Sequence, residues 1–339
     1  MVNGVERGVR GPLGEFEIIA RYFAPLATNP AALALLDDVA VLPLPEGYEL
    51  VVTCDTIVEG VHFLAGDPPD SIGHKALAVN LSDLAAKGAR PHAYLLSLAL
   101  PEPPSAAWLE AFTNGLRKLQ EQADVDLVGG DTSAIPGPLT ISITALGLVP
   151  QGEAVLRRGA VAGDRLHVSG TIGDANLGLR LLSEPRLSAD WGLSEEESDF
   201  LIERYRRPEA RIALALAIRH YARAAIDVSD GLVGDAKKLC TASGVSAVIE
   251  AARVPLSSAA AKAVAYAPTL LAELLAAGDD YEILAAIDEA HAQDFAAEAR
   301  RHKQAVTAIG SIIPGDGQVA VIDDGGRAVE FGRKGFAHF

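Results

Sequence analysis

The chain has very few cysteine and aromatic residues and no long apolar run. Its two cysteines, Cys54 and Cys240, are too few and too far apart to indicate a disulfide framework or a zinc site. No stretch reaches the ~18 uninterrupted apolar residues of a membrane-spanning helix, and the opening MVNGVERGVRG lacks the apolar segment of a secretion signal. We therefore expect a soluble protein of the reducing cytoplasm.

Positive charge is also scarce, since the formal net charge is −16. Such a chain would be repelled by nucleic acids and by anionic membranes, so neither is expected as a partner. A phosphate ligand remains possible, because divalent cations can bridge carboxylate and phosphate oxygens. The chain has no G-x-x-x-x-G-K-[ST] motif, so any nucleotide must bind without a P-loop.

The composition that is present favours an α/β protein with two domains. The chain has 339 residues, is 49% hydrophobic and only 5% aromatic, and is long enough for two cores. The polar, glycine-containing stretch 150–163 is the expected boundary. We predict an N-terminal domain over 1–150 and a C-terminal domain over 151–339, both with mixed sheets and helices.

Local patterns predict several elements that carry the argument. Short strands are predicted at 39–44 and 50–53, and a mostly buried helix at 70–87 that ends at Gly88. The pair Gly129-Gly130 is predicted to form a turn between strands, where backbone N–H groups could approach a ligand. The polar stretch 183–198 is predicted to be a surface excursion.

Acidic residues follow five apolar runs, where strands or helices are predicted to end. These acids are Asp37 with Asp38, Asp55, Asp131, Asp227, and Asp279 with Asp280. Together they indicate a single polyanionic centre built from distant segments. Asp83 lies three residues after Asn80 on one helix face, and we leave open whether it pairs with Lys75 or Arg90 or binds a metal.

Converging carboxylates could not all remain ionised without cations. Oxygen ligands without a His/Cys cluster select Mg²⁺, Mn²⁺ or Ca²⁺ over zinc. Several Mg²⁺ ions beside a glycine turn are typical of phosphoryl transfer, in which the protein mainly aligns donor and acceptor. No Ser/His/Asp or Cys/His nucleophile set is evident, and a thiol such as that of Cys54 on a buried strand is usually inert.

Eight segments together resemble the motifs of bacterial thiamine-monophosphate kinase, in order along nearly the whole chain. They are GEFEIIARYF, LDDVAVL, TCDTIVEGVHF, HKALAVNLSDLAAKGA, LVGGDTS, AIDVSDGL, GDDYEIL and KGFAHF. That family is part of a wider group with aminoimidazole-ribonucleotide synthetase, whose members use ATP without a P-loop. The resemblance implies the two-domain fold of that group, a homodimer formed through the N-terminal sheet, and ATP-dependent phosphorylation of thiamine monophosphate to thiamine diphosphate.

The resemblance also implies roles for individual residues. It implies magnesium ligands at Asp38, Cys54, Asp55, Asp83, Asp131, Asp227 and Asp230, with Asp55 and Asp131 central to catalysis. It implies ATP contacts at Gly130, Asp131, Arg157 and Ser229, and thiamine-phosphate contacts at His62, Asp279 and Phe336. Transfer would be direct and in line, without a phosphoenzyme.

Three residues depart from the family pattern. Leu36 replaces the usual Gly before the paired aspartates, and Asp279 replaces a longer Glu. Cys54 replaces a Ser or Thr that helps to hold a metal, so this contact falls to its backbone carbonyl or is lost. Two alternatives remain: another ATP-using member of the same group with a different small acceptor, and a non-catalytic acidic protein that binds cations.

Overall fold

The structure is a computed structural model that describes residues 14–331. The chain divides into two compact units, here called the first and second units. Among the described residues, the first unit comprises 14–43, 54–76 and 93–144, and the second comprises 44–53, 77–92 and 145–331. The predicted domain boundary at residue 150 stays a prediction.

The first half of the chain forms a four-stranded mixed sheet in the order β1-β4-β2-β3. Its strands are β1 Tyr48–Val58, β2 Arg90–Leu100, β3 Asp126–Ala134 and β4 Thr140–Pro150. Its helices are α1 Glu15–Ile18, α2 Pro69–Ala86 and α3 Ala106–Ala123. α1 continues as a π-helix over Ile19–Phe23 and a 3₁₀ turn over Ala24–Leu26. A separate 3₁₀ turn, Pro30–Leu35, follows after Asn29.

The second half forms a six-stranded mixed sheet in the order β10-β7-β9-β5-β8-β6. Its strands are β5 Arg165–Ser169, β6 Ala222–Val228, β7 Val245–Glu250, β8 Glu282–Ile287, β9 Val306–Pro314 and β10 Val319–Ile322. Its helices are α4 Asp174–Ser183, α5 Leu187–Asp190, α6 Glu195–Arg206, α7 Ala215–Tyr221, α8 Leu232–Ser243, α9 Ser258–Tyr266, α10 Leu270–Ala276 and α11 Ala292–Arg301. Short 3₁₀ turns lie at Ile212–Leu214, Ala251–Arg253 and Glu289–His291.

The long helix predicted at 70–87 is confirmed as α2. Leu77, Leu81 and Leu84 on it are fully buried, so it is stabilised by apolar packing. Gly88 follows the helix with φ +68°, and its N–H donates to the Ala85 carbonyl. A left-handed glycine after the last turn ends the helix where the sequence predicts.

The glycine pair does not form the predicted turn, because β3 continues through it. β2 and β3 are parallel, with Leu96 opposite Gly130 and Ser97 opposite Asp131. Gly130 has φ +156°, and a Cβ atom built on it would lie 1.8 Å from the Leu96 carbonyl oxygen. The glycine is needed because the two strands approach too closely there for any side chain.

One other sequence prediction is wrong. Residues 39–44 form no strand, and Val39 and Val41 are 58% and 65% exposed. Their β-branched pattern predicts a strand, but no strand between residues 14 and 331 pairs with them. The stretch 183–198 lies mostly at the surface, as predicted, and contains α5 and the start of α6, whose first turn is fixed by a capping box between Ser194 and Glu197.

Candidate active site

The first unit contains a cavity of about 670 Å³, here called the acidic cavity, that brings together several of the predicted residues. Its polar lining comes from the start of α1, from the segment after the 3₁₀ turn Pro30–Leu35, and from strands β2, β3 and β4. The polar or glycine residues that line it are Glu15, Asp37, Asp38, Ser97, Gly129, Gly130, Asp131, Thr132 and Thr144. Asp38 and Asp131 therefore face one cavity, although 93 residues separate them in sequence.

Leu36, which replaces the family's glycine, also lines this cavity and is 89% exposed. Phe16 is 83% exposed and lines it as well. The acidic cavity thus combines carboxylates and a close backbone approach at the glycine pair with apolar groups. A cavity of this size and mixed lining suits a small polar ligand with an apolar part.

Asp55 and Cys54 lie within β1, not beyond its end as the sequence predicts. Hydroxyl groups from β4 hold this part of the strand. The Thr56 hydroxyl donates to Ser142 Oγ at 3.0 Å, and Cys54 Sγ lies 3.5 Å from the same oxygen. Cys54 is exposed, so the expectation of an inert buried thiol at this position is wrong. The alternation of side chains along a strand places Cys54 and Asp55 on opposite faces.

His62 is held in the turn after β1. The Val58 N–H donates to its Nδ1 at 3.1 Å, and Lys75 Nζ donates to its backbone carbonyl at 2.8 Å. An Nδ1 that accepts a hydrogen bond carries no proton, so the outer nitrogen Nε2 is the atom that can donate in the neutral ring. The imidazole is partly exposed and its orientation is fixed.

In the second unit, Asp83 and Asp227 are both hydrogen-bonded to hydroxyl groups. Thr53 Oγ1 donates to Asp83, and Ser82 Oγ donates to Asp227 at 3.0 Å. Both carboxylates favour the charged form of Lys87, whose Nζ donates to the Ala225 carbonyl at 2.7 Å. Burial lowers the pKa of Lys87 to about 8, although Asp227 and Asp83 oppose the shift. Sequence reasoning missed Lys87, since a lysine in the last turn of a helix is usually solvated.

Asp230 forms an ion pair with Lys238, which also donates to Asp235 at 2.7 Å. The buried Asp235 in turn accepts the Asp230 N–H at 2.9 Å. Burial raises the pKa of Asp235, against the effect of Lys238. Lys238 and Asp235 lie three apart on α8, and this spacing is the only sequence signal of the arrangement. The contacts among Asp230, Lys238 and Asp235 fix the turn between β6 and α8 that carries Asp230.

The loop 278–281 is folded back against the end of β6 with unusual backbone angles. Asp279 and Tyr281 have φ of +76° and +52°, and their N–H groups donate to the carbonyls of Ser229 and Val228, both at 2.9 Å. The Tyr281 hydroxyl donates to Asp279 Oδ1 at 3.2 Å. Non-glycine residues at positive φ cost energy and persist only where their surroundings enforce them.

A buried polar network lies directly behind this loop. Glu282 is fully buried and accepts hydrogen bonds from Arg204 at 2.8 Å and from Arg211 at 2.5 Å. Arg204 also donates to the Asp280 carbonyl at 3.0 Å, and Asp280 Oδ2 accepts the Gly173 N–H at 2.8 Å. Complete burial raises the pKa of Asp280 well above its usual range. Asp280 is therefore a structural residue that holds the loop.

Among residues 14–331, no group of three or more His, Cys, Asp or Glu side chains lies close enough to hold a metal ion alone. Asp38 and Asp131 both line the acidic cavity, and their carboxylate oxygens are of the kind that holds Mg²⁺ together with water and substrate phosphates. Arg157 is exposed, and Phe336 lies outside the described residues.

No helix between residues 14 and 331 has both the length and the apolar character needed to cross a membrane.

Comparison with known proteins places both halves of the chain in one class. Residues 36–149 match the N-terminal domain of AIR synthase related proteins, and residues 161–323 match the C-terminal domain. The fold and the match together define a two-domain protein of this class, as the sequence predicts.

Curated and solved relatives identify the family within that class. The thiamine-monophosphate kinase of Caulobacter vibrioides is 44% identical over 331 residues, which cover 96% of this chain and 91% of that protein. The crystal structure of thiamine-monophosphate kinase from Stenotrophomonas maltophilia has a TM-score of 0.79 at 38% identity, covering 94% of this chain and 99% of that one. AaThiL complexed with AMPPCP and TMP has a TM-score of 0.75 at 34% identity, covering 96% and 97%. The chain belongs to the thiamine-monophosphate kinase family.

Proposed function

We propose that this chain transfers the γ-phosphoryl group of ATP to thiamine monophosphate and releases ADP and thiamine diphosphate. One observation carries the proposal: the chain is similar over nearly its full length to thiamine-monophosphate kinases, including AaThiL complexed with AMPPCP and TMP. The acidic cavity supports it, because Asp38, Asp131 and the glycine pair line one space of about 670 Å³.

Mg²⁺ bound there would offset negative charge on the phosphate groups of donor and acceptor. Asp38 and Asp131 would supply carboxylate oxygens for it, and Gly129 and Gly130 line the same cavity. In the second unit, Asp83, Asp227 and Asp230 are proposed as further ligands, and Arg157 and Ser229 as nucleotide contacts. Asp55 and Cys54 in the first unit remain proposed ligands as well.

For the acceptor we propose contacts from His62, Asp279 and Phe336. The His62 ring lies in the turn after β1, where the Val58 N–H donates to its Nδ1. Asp279 is held by the folded-back loop, in which the Tyr281 hydroxyl donates to its Oδ1. We propose that transfer is direct and in line, since the chemistry then requires only alignment of the two phosphates.

We further propose that the chain acts as a homodimer in the cytoplasm. β1 is an edge strand of the four-stranded sheet, and its residues Tyr48, Leu50 and Val52 are 43%, 44% and 58% exposed. An exposed apolar edge is a common pairing surface. Sedimentation of the full chain at micromolar concentration should give a dimer, and a monomer there would contradict the proposal.

The function is tested by an assay that couples ADP release to a colour change, with Mg²⁺ and ATP present. We expect ADP with thiamine monophosphate, thiamine diphosphate as the product by chromatography, and no ADP with thiamine or with aminoimidazole ribonucleotide precursors. ADP formed only with another acceptor would refute the substrate. Metal-dependent stabilisation without ADP from any acceptor would favour a cation-binding protein.

Asp131→Asn is the matched variant for this assay, because it removes one charge from a cavity-lining residue that is exposed and makes no core contact. We expect turnover to fall by at least about 100-fold, the usual scale for loss of an electrostatic catalytic group, while the unfolding transition stays unchanged. Wild-type turnover in this variant would show that Asp131 takes no part in phosphoryl transfer.

A further inference from the structure

The second unit contains another cavity of about 670 Å³, here called the arginine cavity, and none of the residues given a role above line it. It lies between the segment 152–159, the end of α7, the start of β6 and the end of α8. Its charged lining residues are Glu153, Arg158, Arg219 and Arg223, and its apolar wall includes Leu156, Ala222 and Ala242.

The charge of the arginine cavity is opposite to that of the chain. Three guanidinium groups and one carboxylate line it, whereas the whole chain has a formal net charge of −16. The net charge of the whole chain repels an anion, so attraction to the arginine cavity depends on the guanidinium groups there that acids do not neutralise.

The arginines are not equally neutralised. Arg223 is held by Asp164 at 2.7 Å and by Asp288. Arg219 donates through Nη1 to the Gly88 carbonyl at 3.1 Å, but its buried Nε has no hydrogen-bond partner, although Glu153 lies 3.3 Å away. Arg158 is exposed and forms no ion pair with any acid in the stretch 14–331. Arg158 thus retains its donors for a ligand, whereas Arg219 lies beside Glu153 and Arg223 is paired with two carboxylates.

The neighbouring Arg157 serves a different region. Its charge acts on Lys87, beside Asp83 and Asp227, and it does not line the arginine cavity. The segment runs beside β6, where the Ala225 N–H donates to the Leu156 carbonyl at 3.0 Å. Arg157 lies at a bend of this segment, and only Arg158 lines the arginine cavity, so the adjacent arginines serve two separate regions.

We propose that the arginine cavity binds a small phosphate-bearing anion, with Arg158 and Arg219 on the phosphate and the apolar wall against the rest of the molecule. Guanidinium groups bind phosphate oxygens in pairs of hydrogen bonds, and the volume suits a metabolite-sized ligand. Glu153 competes with the ligand for Arg219. This site does not depend on the proposed kinase activity.

The test is calorimetric titration of the full-length protein with inorganic pyrophosphate in EDTA, so that binding bridged by divalent cations is absent. Arg158→Gln should weaken binding about tenfold, the effect of losing one charged hydrogen-bonding group. Glu153→Gln should strengthen it several-fold, because it removes a negative charge and releases Arg219. The control is Arg186→Gln, which removes the same charge from a side chain that is 78% exposed and outside the cavity.

No measurable binding of pyrophosphate to the wild type at millimolar concentration would overturn the proposal. So would equal weakening by Arg158→Gln and Arg186→Gln, which would indicate only general charge attraction, or weakening by Glu153→Gln. Kinase turnover of Arg158→Gln with thiamine monophosphate should equal that of the wild type. If the protein shows no kinase activity but Arg158→Gln still weakens pyrophosphate binding and Glu153→Gln still strengthens it, the proposed function fails and this site stands.

Discussion

Replacing Gly130 by alanine should disrupt the contact between β2 and β3. The added Cβ would lie 1.8 Å from the Leu96 carbonyl oxygen, whereas ordinary van der Waals contact begins near 3.4 Å. The obstacle is backbone, so no side chain can rotate away, and the φ of +156° is itself unfavourable for alanine. Overpacking and backbone strain each cost about 1–3 kcal/mol, so we expect a loss of about 2–6 kcal/mol in the free energy of unfolding.

The neighbouring Gly129 provides a matched control. A Cβ there would lie 3.0 Å from Leu95 Cδ2, the end of a flexible side chain, and this glycine does not have positive φ. Gly129→Ala should therefore remain within about 1 kcal/mol of the wild type. Urea unfolding followed by circular dichroism measures both variants, and thermal shift with AMPPCP and Mg²⁺ reports on ligand binding. Equal stability of the two variants would refute the argument from close strand approach.

Two further predictions concern the buried network behind the loop 278–281. Arg204→Met should lower the free energy of unfolding by about 3 kcal/mol, the lower end for a broken buried ion pair, because Arg211 still holds Glu282. Arg186→Met, which breaks an exposed ion pair, should lower it by less than about 1 kcal/mol. Similar urea midpoints for the two variants would contradict this prediction. The buried Asp280 takes up a proton on folding, since its folded-state pKa is raised, so it lowers stability progressively as pH rises above about 4. Asp280→Asn should make the free energy of unfolding less dependent on pH in that range, and an unchanged pH profile would refute the assignment.

Several features of the site follow from local pattern. The periodicity of apolar residues determines α2, and the glycine after it fixes its end. The acids at Asp55, Asp131 and Asp227 are visible in the sequence because each accompanies a β-branched or apolar run. Asp227 lies at the end of β6, as predicted, whereas Asp55 and Asp131 lie within β1 and β3, which continue past them. Strand ends depend on hydrogen bonds to a neighbouring strand, which a single segment does not encode.

Periodicity and motifs read along the chain are enough to predict the two-domain α/β class, the order of most elements and the family. The tertiary structure decides which of the predicted residues share a cavity. Asp38 and Asp131 do so because the segment after the 3₁₀ turn Pro30–Leu35 lies near the middle of β3. The same holds for the pairing of Asp230 with Lys238, and for the different regions that Arg157 and Arg158 face. Burial and charge pairing arise between residues distant in sequence, so they are fixed only when the chain has folded.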